Sequence, residues 1–437
     1  MIDAKILILG FGAVGQSLFR LILEKDLFSI DNILIADRTR KTFGLFEAKG
    51  GKKENSFLYE MDSTCYKEML EKLQEGDYFM NLAESNDDLV LATECSERGI
   101  HFLCTTDDTF GDLPFGEPFR YRTHFNQYKE LMHASAGRAT SVIQFGSNPG
   151  LISVITKKAL MEIVEHDEND FVAENRERLR DLIRREEFAL LAKELGVTAL
   201  IETDLDTTVS EYVEKENIAY STWNVHDFVA EMNDRSIQKL GSEVSLSEHL
   251  ERIGVSPDKI YYYNKQDGTL VLDLPGKKIE TTGYCKDKPF TGCVDAHEEV
   301  FSIHDYYTLR DENGEVEYAP SVMFVYHPAQ ISLNSVYHEH NERVRLIKKD
   351  KMISGGEIIG ICVEGTKFDP IYAGTELYYE GTDFETPTVL LVSASVYAAI
   401  LYMDAHPDSG VLLPEYLDAN EIISGISPWL PFVSNKI

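Results

Sequence analysis

Positive charge is what this sequence has least of. Its 437 residues carry 42 lysines and arginines against 74 aspartates and glutamates, a formal net charge of −32. A chain this acidic repels nucleic acid and anionic membranes and attracts cations. Acidity also serves solubility, so the charge alone does not name a ligand. Cysteine is sparse and unpaired. Cys65, Cys95, Cys104, Cys285, Cys293 and Cys362 are scattered without the spacing of a zinc site or a disulfide framework. Reduced thiols and no bound metal are expected. An uninterrupted apolar run of about 18 residues is also missing, so no transmembrane helix is expected. Met1-Ile2-Asp3-Ala4-Lys5 leads straight into an apolar strand, without the basic region or cleavage site of a signal peptide. These absences point to a cytoplasmic protein. Internal repeats and low-complexity tracts are absent as well.

What is present begins with alternation. Lys5–Leu9, Ile33–Ala36, Asp77–Leu82, His101–Cys104 and Ser141–Phe145 read as buried strands. Helical patterns lie between them, through Val14, Leu18, Leu21 and Ile22, and from Leu89 to Arg98. This order predicts a parallel sheet covered on both faces. From about Asn148 the character changes. A helix is predicted after Pro149-Gly150, then a charged helical stretch from Glu174 to Glu194, whose Arg and Glu spacing suits a solvated face. Short aromatic strands dominate from Lys259 to Tyr379, and Thr388–Asp404 is apolar and helix-like. The expected fold class is α/β, a Rossmann-type domain over 1–146, completed by 388–437. A mixed α+β substrate-binding and dimerisation domain is expected over 147–387.

Gly10-Phe11-Gly12-Ala13-Val14-Gly15 is a GxGxxG turn between the first strand and the first helix. Its glycines allow a tight turn, close backbone approach to a pyrophosphate, and close packing of helix on strand. The helix N-terminus, through Ala13 and Val14, then faces the phosphates with partial positive charge. Asp37 ends the second strand, 22 residues after Gly15. A carboxylate there accepts hydrogen bonds from both ribose hydroxyls and repels a 2′-phosphate, so NAD is favoured over NADP. Arg38 beside it pulls the other way.

The candidate substrate residues come from the second part. Asn148, in Phe145-Gly146-Ser147-Asn148-Pro149-Gly150, sits where α/β sheets bind ligands; an ordinary helix N-cap with Pro149 at the first position is at least as good a reading. Trp223 is one of only two tryptophans, and Glu231 lies eight residues beyond it. An indole face attracts an alkylammonium by ~0.5–2 kcal/mol, and Glu231 can pair with the same group. Asp204 and Asp206 lie upstream. A core tryptophan and solvated carboxylates are the plainer alternative.

Together these pieces resemble bacterial homospermidine synthase, within the wider saccharopine dehydrogenase-like group. The matching residues are Gly10, Gly12 and Gly15; Asn148-Pro149-Gly150; Thr222-Trp223 with Phe228 and Glu231; Ala296-His297-Glu298; Ser302 to Tyr306; Val325 to Ala329; Ile371 to Leu377; and Val392 to Ser395. The resemblance spans nearly the whole chain. It implies a homodimer with tightly held NAD, and substrates that are small cationic polyamines: putrescine, with spermidine as an alternative aminobutyl donor. It implies that Trp223 and Glu231 handle the cation and that Asn148 lies near both nicotinamide and substrate amine. A family pocket glutamate falls on Asp204 and another on Asp108, each shorter here by one methylene. His297 is taken with Asn148, Asp204, Trp223 and Glu231 as catalytic, although it and His327 could equally be satisfied structural histidines.

Two rival readings remain. A saccharopine or carboxy(nor)spermidine dehydrogenase binds a carboxylate and needs arginine or lysine at the site. None occurs from Trp223 to Asp234, though Arg235 follows at once. A catalytically silent NAD-binding protein would keep the glycine turn but has no use for Trp223, Glu231 and Asn148 together.

Overall fold

The computed structural model describes residues 1–84, 86–108, 120–338, 343–382 and 385–437. The chain divides into two compact units. The first comprises 1–113, 122–151 and 389–429, and the second comprises 114–121, 152–388 and 430–437.

In the first unit, β1 (Ile6–Leu9), β2 (Ile33–Asp37), β3 (Ser56–Leu58), β4 (Tyr78–Asn81), β5 (His101–Cys104) and β6 (Ser141–Val142) join a two-residue strand, Val411–Leu412. The spatial order is Val411–Leu412, then β6-β5-β4-β1-β2-β3, and every pairing is parallel. β1 is buried along its whole length because helices cover both faces, which is why its sequence is an unbroken apolar run. α1 (Ala13–Glu24), α2 (Asp88–Arg98) and α3 (Arg120–Ala134) connect the early strands. Asp87 caps α2 by accepting the Val90 N–H at 2.9 Å, and Gly99 ends it in the left-handed region at φ 69°. The ladder of β6 is shorter than Ser141–Phe145 because Gln144 takes φ 54° and turns the chain off the sheet.

The helix Pro387–Ala405 has an 18-residue window of mean hydropathy 1.6, long and apolar enough to cross a membrane. It is a core helix here. Leu391, Ala394, Val396, Ala399, Ile400 and Met403 are buried. Ser393 Oγ meets Ser17 Oγ of α1 at 2.7 Å, a close approach that small residues permit.

The second unit opens with α4 (Leu151–His166), α5 (Asp170–Arg184) and α6 (Phe188–Leu195). The charged stretch thus forms two helices rather than one, because Glu186 at φ 56° breaks the path between them. Its charges pair along the exposed side, as in Arg180 with Glu165 and Glu177, and Arg178 with Glu194. Behind these helices lies a ten-stranded mixed sheet. Its strands are β7 (Val197–Asp206), β8 (Arg235–Lys239), β9 (Ile260–Tyr263), β10 (Thr269–Pro275), β11 (Glu280–Cys285), β12 (Lys288–Asp295), β13 (Ser321–His327), β14 (Gly356–Gly365), β15 (Ile371–Tyr378) and β16 (Phe432–Lys436). The path is β9-β10-β8-β13-β7-β14-β15-β16, with the β11–β12 hairpin joined to β13. Because β16 pairs with β15, the last residues belong to this second sheet, and the chain's return to the first unit ends at Trp429.

The two faces of this sheet differ. Ala199, Ile201, Met323, Val325, Leu270, Leu272, Val294 and Cys362 fill one face and pack with Leu250 of the short helix Leu246–Arg252. On that side His249 is buried, its Nε2 bonded to Gln238 Oε1, and burial pulls its pKa down to about 4. An ordinary histidine titrates near 6.5, so between these values the unfolded chain binds a proton that the folded chain refuses. Stability from this residue is therefore full above about pH 6.5 and is lost as pH falls toward 4, by about 3 kcal/mol. Urea unfolding from pH 7 to 4 should show a shallower acid loss for His249→Gln than for the unmutated chain. Parallel curves would remove this account.

Candidate active site

The first unit presents the glycine turn at the carboxyl edge of its sheet. Gly10 has φ 86°, and a Cβ there would lie 2.5 Å from the Leu82 carbonyl oxygen. A Cβ on Gly15 would lie 2.3 Å from the Gly10 carbonyl oxygen. Both glycines are thus required by the protein's own packing. Gly12 differs: a Cβ there meets nothing within 4 Å. Its smallness serves something outside the fold, which is what a backbone approach to a pyrophosphate needs. Ala13 and Val14 begin α1, so their N–H groups are among those a helix leaves unsatisfied. Asp37, 8% exposed, ends β2 and accepts the Thr39 N–H on Oδ1 at 2.8 Å. The turn therefore fits a dinucleotide by its own geometry.

Two further candidates belong to this unit. Asn148 lies between β6 and α4, and Ser147 Oγ donates to its Oδ1 at 3.1 Å. The loop closes through Gly146 N–H to the Pro149 carbonyl at 2.8 Å, with Gly150 at φ 125°. The helix begins only at Leu151, so Asn148 and Pro149 lie outside it and the N-cap reading fails. Asp108 follows β5, and its N–H donates to Asp88 Oδ2 at 3.2 Å. Asp88 also accepts from Asn81 Nδ2 at 2.7 Å and Thr106 Oγ1 at 2.9 Å. This buried carboxyl orders the loop carrying Asp107 and Asp108. Burial holds its pKa well above the carboxylate range, although the Asn81 and Thr106 bonds oppose that. Asp107 is committed elsewhere, to His124 Nδ1 at 2.7 Å.

In the second unit the polar face of the sheet gathers Asp204, Trp223, Glu231 and His297. Alternation along β7 puts Glu202, Asp204 and Asp206 on one face, opposite the apolar one. Register supplies their neighbours: Glu357 of β14 stands across from Asp206, Tyr326 of β13 beside Asp204, and Asp295 of β12 beside Phe324, itself beside Glu202. Glu202, Asp204, Asp206, Glu357 and Asp295 are each 5% exposed or less. Partners hold part of this charge. Asp206 accepts Thr222 Oγ1 at 2.7 Å and the Thr208 N–H at 2.8 Å, and Glu357 accepts Thr388 Oγ1.

α7 (Val225–Asn233) lies over this face, capped by Asn224 accepting the His226 and Asp227 N–H groups. Trp223 precedes it, half-buried, with Nε1 donating to Tyr326 Oη at 3.3 Å. Aromatic contacts run from Trp223 to Phe228 at 6.3 Å, Phe228 to Tyr326 at 6.3 Å, Tyr326 to Phe324 at 5.9 Å, and Phe324 to the His297 ring at 4.6 Å. Among the described residues no lysine or arginine covers Trp223, whereas Lys25 lies 5.1 Å from the ring of Trp429. Glu231 keeps part of its surface accessible and receives no side-chain hydrogen bond among the described residues. Burial raises its pKa well above the usual range. Asp295, Glu298 and Asp204 push the same way, and only His297 opposes them. Glu357 is raised by burial and then by Asp204 and Asp206.

His297 precedes α8 (Glu299–Tyr306) and is bonded through Nδ1 to Glu299, with Glu298 at 3.3 Å. Burial alone would lower its pKa, but Glu299, Glu298 and Glu231 overcome that and hold it well above 6.5. The His297, Glu298 and Glu299 ligand atoms lie within 4.8 Å of one another, close enough for a metal ion to bridge. The His297–Glu299 bond already satisfies that pair without one. His327 points to the apolar side by alternation, and its Nδ1 meets the Thr291 carbonyl at 2.8 Å. It does not join the group. Sequence reading missed Glu357, Asp295, Glu299 and Tyr326; a carboxylate at the end of an apolar strand was the only signal.

Burying several carboxylates together, with one imidazolium, leaves excess negative charge. Protons can fill it, or a bound cation can. An aromatic wall beside the carboxylates suits an alkylammonium.

A family model for the saccharopine dehydrogenase NADP binding domain matches residues 6–134. Homospermidine synthase of Mesorhizobium japonicum is 22% identical, over 98% of this chain and 89% of that one. Homospermidine synthase of Blastochloris viridis is 24% identical, over 98% and 90%. The chain resembles homospermidine synthases from end to end. The crystal structure of the Legionella pneumophila enzyme in complex with NAD superimposes with a TM-score of 0.83 at 21% identity, covering 100% of this chain and 92% of that one. Apo saccharopine dehydrogenase (L-Glu forming) from Saccharomyces cerevisiae gives 0.55 at 9% identity, covering 99% and 100%. The Rossmann-type sheet and the mixed second sheet are thus a shared fold.

The glycines give a test that separates packing from ligand contact. Gly15→Ala should lower the melting temperature, because its Cβ strikes the Gly10 carbonyl. Gly12→Ala should leave melting unchanged within a degree or two but weaken NAD at least tenfold by calorimetry, about 1.4 kcal/mol. Unaltered NAD affinity in Gly12→Ala would show that the open space is not a ligand's.

Proposed function

We propose that this chain is a homospermidine synthase, an NAD-dependent enzyme that joins two putrescines into sym-homospermidine with release of ammonia. Spermidine serves as an alternative aminobutyl donor. The observation that carries this reading is the partly exposed Glu231, with Asp204, Asp295, Glu298 and His297 as the charged groups named against its carboxyl, on the helix that follows the half-buried Trp223.

Two putrescines supply every atom of homospermidine plus ammonia, so no net oxidation occurs. NAD, when bound, supplies hydride chemistry, taking a hydride from the carbon beside an amine and later returning it. Gly10, Gly12 and Gly15 with the Ala13 and Val14 N–H groups would hold its pyrophosphate, and Asp37 its ribose. The matched family model is named for NADP, while the Legionella relative holds NAD. The Asp37 carboxylate would repel a 2′-phosphate, which supports NAD here.

The remaining tasks fall to side chains. Trp223 and Glu231 hold an alkylammonium between a ring face and a carboxylate. Asp204, with Glu357 near it, forms a second anionic group for the other end of a diamine. A raised-pKa carboxylate accepts a proton readily near neutrality, so Glu231 can relieve the reacting nitrogen of one. His297, oriented by Glu299, keeps a positive charge against Glu231 and limits its pKa. The carboxylates then stabilise the iminium charge that develops on the substrate. Asn148 and Asp108 are the polar candidates of the first unit. A homodimer without nucleic-acid or membrane partners belongs to the same proposal. The saccharopine dehydrogenase-like alternative is disfavoured because a carboxylate-bearing substrate would face carboxylates.

Incubation with putrescine and catalytic NAD should yield homospermidine and ammonia without accumulation of NADH. Steady NADH production would indicate an ordinary dehydrogenase. Trp223→Phe should keep partial activity, and Trp223→Ala should lose up to about thirtyfold from the ring interaction. Glu231→Gln should impair homospermidine formation and leave NAD affinity nearly intact. Full activity in Glu231→Gln would sink the site assignment.

A further inference from the structure

Asp295 ends β12 and is fully buried. Its Oδ1 accepts the Ala296 N–H at 3.0 Å, and among the described residues its Oδ2 has no hydrogen-bond partner. The backbone of Gly276 presses against it: a Cβ there would lie 2.2 Å from Asp295 Oδ1. Gly276 therefore packs closely on the Oδ1 side of this carboxyl. The groups around it are three carboxyls, two cationic side chains and a tyrosine. Asp234 closes α7 and, through its carbonyl, receives the Gly276 N–H at 3.0 Å. Glu231 lies on the same helix, and an ionised Asp295 would raise its pKa more than any other charged group named against it. Glu202 stands on the same sheet row, beyond Phe324. His297, two residues on, is the cationic neighbour, and it is bonded to Glu299. Lys277, beside Gly276, donates its ammonium to the Val336 carbonyl at 2.6 Å. Tyr121 faces Glu298, Arg120, Asp234 and Glu231, and burial keeps it neutral.

A buried carboxylate with one oxygen lacking any donor is costly if ionised, and a neutral carboxyl with that oxygen protonated is much less so. From this placement we propose that Asp295 stores a proton beside Glu231 while the site holds no cation, and releases it to solvent when an alkylammonium binds. Asp295 acts through Glu231 and is a positioning residue. By staying neutral it leaves Glu231 the charge that attracts the substrate. By ionising on binding it adds a second negative charge behind the first. The balance is one carboxyl proton to solvent for each ammonium held. Burial first, and then Asp234, push the Asp295 pKa up to about 8, against the pull of the Ala296 N–H and His297, which agrees with a neutral group at pH 7.

This inference rests on the polyamine reading of the site, and the experiment keeps the two apart. Putrescine is titrated into the NAD-loaded protein by calorimetry at pH 7, in buffers of differing ionisation enthalpy, which counts protons released. The unmutated protein should bind putrescine and release protons. Asp295→Asn, the neutral mimic, should still bind it, with about one proton fewer released. An equal proton count in the two proteins would overturn the proposal, as would loss of putrescine binding in a variant that retains NAD affinity and melting temperature. Absence of putrescine binding in the unmutated protein would defeat the polyamine reading itself. Should Asp295→Asn fail to fold, the unmutated protein still decides. Its putrescine affinity should rise from pH 6 to 8 and level off above, and an affinity flat over that range would overturn the proposal.

Discussion

Everything in the second unit turns on one expense: several carboxylates buried together on one face of a sheet. Removing an ionised carboxylate from water costs several kcal/mol even after relaxation. Glu202, Asp204, Asp206, Glu357 and Asp295 are all buried there. The opposite face is continuous hydrocarbon, and its burial supplies the stability against which this cost is borne. The aromatic series from Trp223 to His297 lowers the local dielectric further, so each charge is felt more strongly by its neighbours. Such a surface is a poor structural choice. Hydrophobic residues of the same size would hold the sheet together better, which is why the arrangement reads as a ligand site.

The first unit solves a different problem with little charge. Its cofactor turn works through missing atoms: absent side chains at Gly10 and Gly15 let backbone pack on backbone, and the absent one at Gly12 faces open space. Asp37 ends β2 where the proposed reading has a carboxylate select the cofactor, with Arg38 beside it. On the proposed reading, binding energy for the dinucleotide comes from preorganised N–H groups, and recognition of the amine comes from charge. The two functions can vary independently, and about 21–24% identity to the homospermidine synthases accompanies a shared fold.

The fold was largely legible because its signals are local. The GxGxxG turn, the apolar strands and the position of Asp37 each lie within a short window, and tertiary structure altered only their ends: Gln144 shortened one strand and Glu186 split one helix through left-handed backbone that no residue type announces. The site was legible only in part. Trp223 and Glu231 sit on one turn and one helix, so their spacing was visible. Asp295 and Glu357 arrive from strands 91 and 153 residues beyond Asp204, and only the register of β12, β13, β7 and β14 brings them together. His297 could not be assigned from sequence because a buried histidine is defined by its partner, and Glu299 is recognisable as that partner only once α8 is placed.

A site built this way discriminates by charge more than by shape. Carboxylates that repel one another gain more from a ligand with two ammonium groups than from one with a single group, because each added cation relieves several repulsions at once. Aliphatic monoamines relieve fewer, and amino acids bring a carboxylate into a region already overfull of them. Asp204 sharpens this. Its side chain is shorter than glutamate, but Glu357 reaches toward it from the adjacent strand, so the charge at that end is shared across two residues. Reach lost at one position is made up by length at its neighbour, and the anionic pole persists while its exact location shifts. On the proposed reading, the distance between that pole and Glu231, rather than the number of carboxylates, is therefore what sets which diamine fits.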